Sequence, residues 1–291
     1  IAQEVRPLGG SVYYVGGCVR DRLLGRESKD LDIEVHGVTP QQLEAVLDRM
    51  GGRRTVGASF GVYGLAGCGL DIAMPRREAA VGRGHRDFTV EVDPWLGPER
   101  AARRRDFTVN ALMEDVLTGQ VLDFFGGRED LARGVIRCVG EPETRFREDA
   151  LRMLRAYRFA AQLGFSLDAQ TQAAIRRCAP LCASLSRERV REEAEKTLLS
   201  DRPEYFGRML AEGLLGACIR AENADFSGLS ALPKTPEARW TAAKLRCPAF
   251  DPAAFRLPAK LCRLIELTAQ TWREGRTEAE WKRLIAEHGW E

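Results

Sequence analysis

Residues 16–32 read GGCVRDRLLGRESKDLD, and their reading decides the first half of the chain. The preceding SVYYV (residues 11–15) predicts a short strand that runs into Gly16-Gly17. Helical residues follow from Val19 to Leu24, Gly25 ends that turn, and residues 31–35 predict a second strand. Gly16 and Gly17 let the backbone come close to a triphosphate, and the helix after them offers unpaired N–H groups. Arg20 is placed to contact phosphate, and Asp21 either holds it or caps the helix. Asp30 and Asp32 lie two apart, so on a strand both carboxylates share one face and can meet one pair of hard metal ions. An isolated Asp-x-Asp reads as a solvated strand end; its position after a strand, a Gly-Gly turn and a helix favours metal binding. Phosphoryl transfer to a hydroxyl uses metals to bridge the phosphates and acidify the attacking oxygen, so two Mg²⁺ ions are expected. A third carboxylate is expected from a neighbouring strand, and Asp71 in LDIAM is the candidate.

Outward from this stretch, Thr39-Pro40 starts a helix reaching about Met50, with Thr as N-cap and Pro in the first turn. Residues 60–66 and 69–74 alternate like paired strands around Gly67. Residues 79–103 hold Gly82, Gly84, Pro94, Gly97 and Pro98 and predict a long charged loop. Residues 107–115 predict a helix and 120–125 a strand. After about Val139 strand signals fade. Helices are expected over 146–164, 168–178, 186–199, 203–215, 236–246, 258–273 and 277–287. The fold class is thus α+β: a head with a mixed sheet over residues 1–138, then an all-helical part. The latter divides into a neck, 139–200, and a body, 201–291.

Bulk composition narrows the function. Hydrophobic residues make up 44% and charged residues 30% of the 291, which fits a globular protein of two or more domains. No apolar run reaches the roughly 18–20 residues needed to span a bilayer. The net charge is only +2, but residues 76–105 hold eight Arg against five acids. The planar Arg fork suits phosphates and base edges. Eight Cys without a CxxC pair predict reduced thiols and a cytoplasmic protein, with Cys178 and Cys182 as small core residues. His36, His85 and His288 build no HExxH or His/Asp cluster, which sets aside a zinc hydrolase or an appended phosphohydrolase domain. The chain opens on IAQEVRPLGG without an initiator Met, so residues upstream are expected.

Residues 104–112 read RRDFTVNAL. Together with GGCVRD and the DLD pair, they resemble the motifs of the class II tRNA nucleotidyltransferase and bacterial poly(A) polymerase family. The resemblance continues through LDFFGGREDL (122–131), REDALRMLRAYRFAAQLGF (147–165) and LSRERVREEAEKTL (185–198), covering about residues 11–200 in order. It implies a polymerase-beta-like nucleotidyltransferase head that extends RNA 3′ ends without a nucleic-acid template, with tRNA as partner and CTP and ATP as substrates. It implies Asp30 and Asp32 as metal ligands and Arg105, Asp106 and Asn110 as ribose and triphosphate ligands. Arg155 and Arg158 join the nucleotide-binding set. Asp123 with Gly126-Gly127 reads as a structural hinge, and Arg189 and Glu193 as braces of the nucleotide-binding helix.

Ala150, Met153, Leu154, Tyr157 and Ala161 form an apolar stripe at helical spacing, with Arg145, Asp149 and Arg152 on roughly the opposite face. Without the family, Asp149 and Arg152 read as a surface ion pair at i, i+3. With it, they read bases. Cytosine and adenine present an amino donor beside a ring-nitrogen acceptor; uracil and guanine present the reverse. A fixed Asp accepting and a fixed Arg donating therefore admit C and A and reject U and G. The local sequence RRTVGASFGVYGL (53–65) looks more like the tRNA-directed members than poly(A) polymerases, and the long loop leans toward completing the terminal A. CCA addition is the expected activity. Poly(A), CC-only or A-only addition and a catalytically silent RNA-binding relative are the rivals. Scattered Arg in the body, such as Arg208, Arg239 and Arg246, read first as a solvated face and second as candidates to meet RNA phosphates.

Overall fold

The computed structural model describes residues 1–28, 31–57, 61–65, 67, 70–80, 88–219 and 224–273, and no side chains at 55–57, 78–80, 88–90 and 271–273. The chain divides into two compact units, Ile1–Glu148 and Asp149–Glu291.

The strands of the first unit are β1 (Ser11–Val15), β2 (Leu31–His36), β3 (Arg53–Gly57), β4 (Val62–Leu65), β5 (Leu70–Ala73), β6 (Arg76–Ala80), β7 (Phe88–Val92), β8 (Met113–Asp115), β9 (Val121–Leu122) and the two-residue β10 (Val135–Ile136). Seven of them form one sheet in the order β3-β4-β5-β2-β1-β8-β9, while β6 and β7 pair with each other. The β2–β5 pairing is parallel; β1 pairs antiparallel with both β2 and β8. The helices are α1 (Ala2–Val5), α2 (Gly17–Leu23), α3 (Pro40–Arg49), α4 (Pro98–Arg103), α5 (Gly127–Arg133) and α6 (Pro142–Glu148). Alternation along the strands sets their two faces. Val12, Ile33, Val35, Tyr63 and Ile72 turn to one face and bury Leu43, Val46 and Leu47 of α3. A second cluster gathers Val15 of β1 and Met113 of β8 with Ala102, Ala111 and Val139. α3 begins with a full capping box, Thr39 and Gln42 each satisfying the other's backbone N–H.

Three expectations change here. The loop expected over 79–103 contains β7 and α4. The β-branched alternation of FTVEV completes a hairpin with β6, and Pro98 in the first turn starts a helix after Gly97. Residues 81–87 lie outside the described residues. The helix expected over 107–115 is instead one 3₁₀ turn, Thr108–Asn110, followed by β8, because Met113 and Glu114 join ladders with β1 and β9. The single helix expected over 146–164 is interrupted at Asp149 and Ala150, between α6 and the helix Leu151–Leu163, and the Asp149 carboxylate accepts from the Leu151 amide at 3.1 Å.

The second unit is mainly helical, with α7 (Leu151–Leu163), α8 (Ala169–Cys178), α9 (Arg187–Leu198), α10 (Tyr205–Ala211), α11 (Pro236–Arg246) and α12 (Ala259–Arg273), and departs from the expected all-helical part by a two-residue strand, Ser166–Leu167. Side-chain caps from Asp168, Ser186 and Thr235 start α8, α9 and α11. The expected stripe of Ala150, Met153, Leu154, Tyr157 and Ala161 is buried. An aromatic cluster packs within this unit, with Trp240 stacked on Phe250 at 5.4 Å and set edge-on to Phe206 at 5.8 Å. Cys178 and Cys182 are buried as core residues, and burial pushes the Cys182 thiol up to about 12. Arg239 overturns its reading as a phosphate contact. It is fully buried and donates to the carbonyls of Pro233, Leu198 and Leu232 at 3.0, 3.3 and 2.9 Å, tying the loop before α11 to the end of α9. The helix expected over 277–287 lies outside the described residues. Among the described residues no helix is long and apolar enough to cross a membrane.

Candidate active site

The sheet brings the two sequence motifs together. Gly16 holds φ +70, ψ −129 at the start of α2, a backbone state that disfavours other residues. The space a side chain at Gly16 would enter faces Nη1 of Arg105 at 3.4 Å, and that at Gly17 faces Nη2 of Arg20 at 3.5 Å. Two guanidinium groups thus lie over the Gly-Gly turn.

Each guanidinium is held by a partner. Arg20 donates through Nε and Nη2 to the two oxygens of Asp21 at 2.8 and 2.9 Å, which settles the alternatives for Asp21 in favour of holding Arg20. Its Nη1 donates to Oδ1 of Asn110 at 2.7 Å, ninety residues along the chain. Asn110 in turn donates to Oδ1 of Asp106 at 3.1 Å, and that oxygen also accepts from the Phe107 amide at 2.9 Å. Arg20, Asp106 and Asn110 are all nearly buried. Arg145, on α6, donates from Nη2 to the carbonyls of Arg104 and Arg105 at 2.7 and 3.0 Å, fixing the backbone that carries Arg105 and Asp106. A further brace comes from 122–131. Asp123 accepts from the amides of Gly127 and Arg128 at 2.9 Å each, and a Cβ at Gly127 would fall 2.3 Å from the Thr108 carbonyl oxygen. Only glycine lets α5 come this close, in keeping with the structural reading of that motif.

On β2, Asp32 is half-buried and lies directly opposite Asp71 in the parallel pairing, so the two carboxylates stand on one face of the sheet. Asp30 lies outside the described residues. Among the described residues no three His, Cys, Asp or Glu groups gather into a metal site. The hard oxygen donors of Asp32 and Asp71, on adjacent strands and in register, nevertheless suit Mg²⁺ in kind and placement, with Asp30 as the neighbouring donor in sequence.

The same face continues to Glu34 and His36, which the sequence reading missed. The signal was present: Asp30, Asp32, Glu34 and His36 extend one polar alternation along the strand. Both are buried, with His36 Nε2 2.8 Å from Glu34 Oε1. Burial alone would raise the Glu34 pKa. The His36 hydrogen bond, with the charges of Arg105, His36 and Arg104, outweighs it and holds the carboxyl below its ordinary value.

In the second unit, Asp149 is a fixed acceptor at the start of α7. Its Oδ2 takes a hydrogen bond from Nη2 of Arg189 at 2.9 Å while Oδ1 accepts from the Leu151 amide. Arg152 follows one turn on, half-buried. Glu193 is buried between Arg155 Nη1 at 3.9 Å and Arg158 Nε at 2.5 Å. Arg158 also donates to Gln162 at 2.8 Å and lies 3.9 Å over the Phe159 ring. Arg158, expected among the nucleotide-binding residues, is thus buried against Glu193, while Arg189 pairs with Asp149. Glu193→Ala leaves the Arg158 charge buried without its carboxylate and is expected to cost about 3 kcal/mol of stability, read by urea denaturation of the variant.

The chain is similar to known proteins along most of its length. The model of the poly A polymerase head domain matches residues 12–137, and that of the probable RNA and SrmB-binding site of polymerase A matches residues 164–218. A multifunctional CCA protein of Stenotrophomonas maltophilia is 43% identical over 204 residues, 68% of this chain and 48% of that protein. A CCA-adding enzyme of Limosilactobacillus reuteri is 38% identical over 237 residues, 80% of this chain and 56% of that protein. The chain thus spans about half the length of these curated relatives. Among solved structures, the Bacillus stearothermophilus CCA-adding enzyme in complex with CTP superposes with a TM-score of 0.76 at 31% identity, covering 94% of this chain and 68% of that one. A tRNA nucleotidyltransferase complexed with a primer tRNA and an incoming ATP analog gives 0.59 at 30% identity, covering 74% of this chain and 62% of that one. With its nucleotidyltransferase head, its helical second unit and these likenesses along most of its length, the chain belongs to the tRNA nucleotidyltransferase and poly(A) polymerase family.

Proposed function

We propose that this protein adds C and A to the 3′ end of tRNA, using CTP and ATP and releasing pyrophosphate. The observation that carries the reading is the convergence of Arg20, Asn110, Asp106 and Arg105 on the Gly16-Gly17 turn, in the unit whose sheet sets Asp32 beside Asp71. Arg20 and Arg105 bind and orient the triphosphate over glycines that leave room for it. Asp106 accepts from a ribose hydroxyl, which favours ribonucleotides. Asp30, Asp32 and Asp71 would hold Mg²⁺. When bound, the metal neutralises phosphate charge and acidifies the attacking 3′-hydroxyl. Asp149 and Arg152 select the base, residues 139–200 serve as the selecting neck, and residues 201–291 bind RNA. Uncharged-base recognition of this kind penalises U and G because they leave buried polar groups unpaired. A cytoplasmic location suits a tRNA substrate and the reduced-thiol composition.

The test uses three tRNA transcripts ending before CCA, after C and after CC, each given CTP, ATP or both with Mg²⁺. Two Cs followed by one A, resolved to single nucleotides, is the expected product. C alone, A alone or a long A ladder would instead identify a CC-adding, A-adding or poly(A)-adding enzyme. No extension at all would favour an RNA-binding relative without catalysis.

A further inference from the structure

Arg105 bridges two places on the site. Its Nη1 faces the Gly16 turn at 3.4 Å from where a side chain would begin, and its Nη2 lies 3.6 Å from Oε2 of Glu34. Glu34 is itself immobilised. Its other oxygen, Oε1, is 2.8 Å from His36 Nε2, and the His36 ring packs edge-on to Tyr13 with centroids 5.2 Å apart. Glu34 and His36 are each only 5% exposed, so this carboxylate has little room to swing. Glu34 stands on the Asp32 face of β2, yet its two oxygens are turned to His36 and Arg105.

We propose that Glu34 is a positioning residue that aims the Arg105 guanidinium at the triphosphate over the Gly16-Gly17 turn. The proposal rests on the reading of Arg105 as a triphosphate ligand. A long Arg side chain loses much rotamer freedom when it closes on a ligand, and a partner that orients it beforehand removes part of that cost from the binding step. The planar fork makes this possible. One nitrogen can face a buried carboxylate while the other points to the ligand, which a Lys ammonium cannot reproduce. At 3.6 Å the Glu34 contact is an ion pair rather than a close hydrogen bond, so the guanidinium keeps donors for phosphate.

The experiment measures CTP and CMP binding by titration calorimetry for the full chain and for Glu34→Gln, Arg105→Ala, Arg105→Lys and the Glu34→Gln/Arg105→Ala pair. Glu34→Gln is expected to weaken CTP about tenfold and leave CMP unchanged, with KM for CTP rising in step and kcat moving less than about twofold. The double variant should bind CTP no more weakly than Arg105→Ala alone. Arg105→Lys should lose CTP affinity nearly as far as Arg105→Ala, which tests the bridging geometry without altering a buried residue. Wild-type CTP affinity in Glu34→Gln, equal losses for CTP and CMP, additive losses in the pair, or a Lys variant that binds CTP normally would each overturn the positioning role. If Arg105→Ala itself binds CTP as well as wild type, the triphosphate reading of Arg105 falls, and the role of Glu34 falls with it.

Discussion

Asp32→Ala is expected to cut nucleotidyl transfer by a thousandfold or more, on the order of 4 kcal/mol of transition-state stabilisation, while tRNA binding persists. The size follows from position. Asp32 is the described carboxylate of the Asp-x-Asp pair, and the parallel register sets it directly across from Asp71. Its neighbours on the strand, Ile33 and Leu31, cannot replace it because alternation turns them to the other face. RNA binding, by contrast, is assigned to the helical unit, which this substitution leaves untouched. Single-turnover extension of a tRNA transcript gives the rate, and a filter-binding titration gives the affinity. Transfer at the wild-type rate would sink the assignment of Asp32; a parallel loss of tRNA affinity would point to a folding defect instead.

Asp149→Ala is expected to loosen selection against UTP and GTP on the order of a thousandfold in kcat/KM ratio. Sites that hydrogen-bond a substrate group reject analogues lacking that pattern by about 10⁴–10⁵, and removing one of two readers gives up much of that. The proposed reading role draws on Asp149 being held from two sides, by Arg189 at 2.9 Å and by the Leu151 amide at 3.1 Å. A carboxylate that could rotate would accept from either base pattern. The measurement is kcat/KM for all four nucleotides on a transcript ending after C. Unchanged base preference would show that Asp149 serves only to hold Arg189 and the Leu151 amide.

The sequence determined the parts whose causes are local. Thr39, Ser186 and Thr235 each carry an N-cap oxygen, and the helices they start lie where the caps place them. Strand alternation located β1, β2, β4 and β5, and placed Asp32 on the polar face of its strand. The Gly-Gly turn points to Arg20 and the family resemblance to Asp106 and Asn110, and the fold links the three by hydrogen bonds.

Tertiary structure decided whatever depends on a partner distant in sequence. Residues 107–115 read as helical alone, yet ladders with β1 and β9 hold Met113 and Glu114 as strand, because hydrogen bonds to neighbouring strands outweigh a weak local preference. Arg158 and Arg239 look like exposed cations in the sequence. Packing buries both, one against Glu193 and one against backbone carbonyls, because a guanidinium's several donors can be satisfied internally where a fold supplies acceptors. The contact between Arg20 and Asn110 spans ninety residues, and the aim of Arg105 depends on a carboxylate from β2. Charge and residue type are written in the chain, but the direction in which a long side chain points is set by the acceptors that the folded sheet and helices bring within reach.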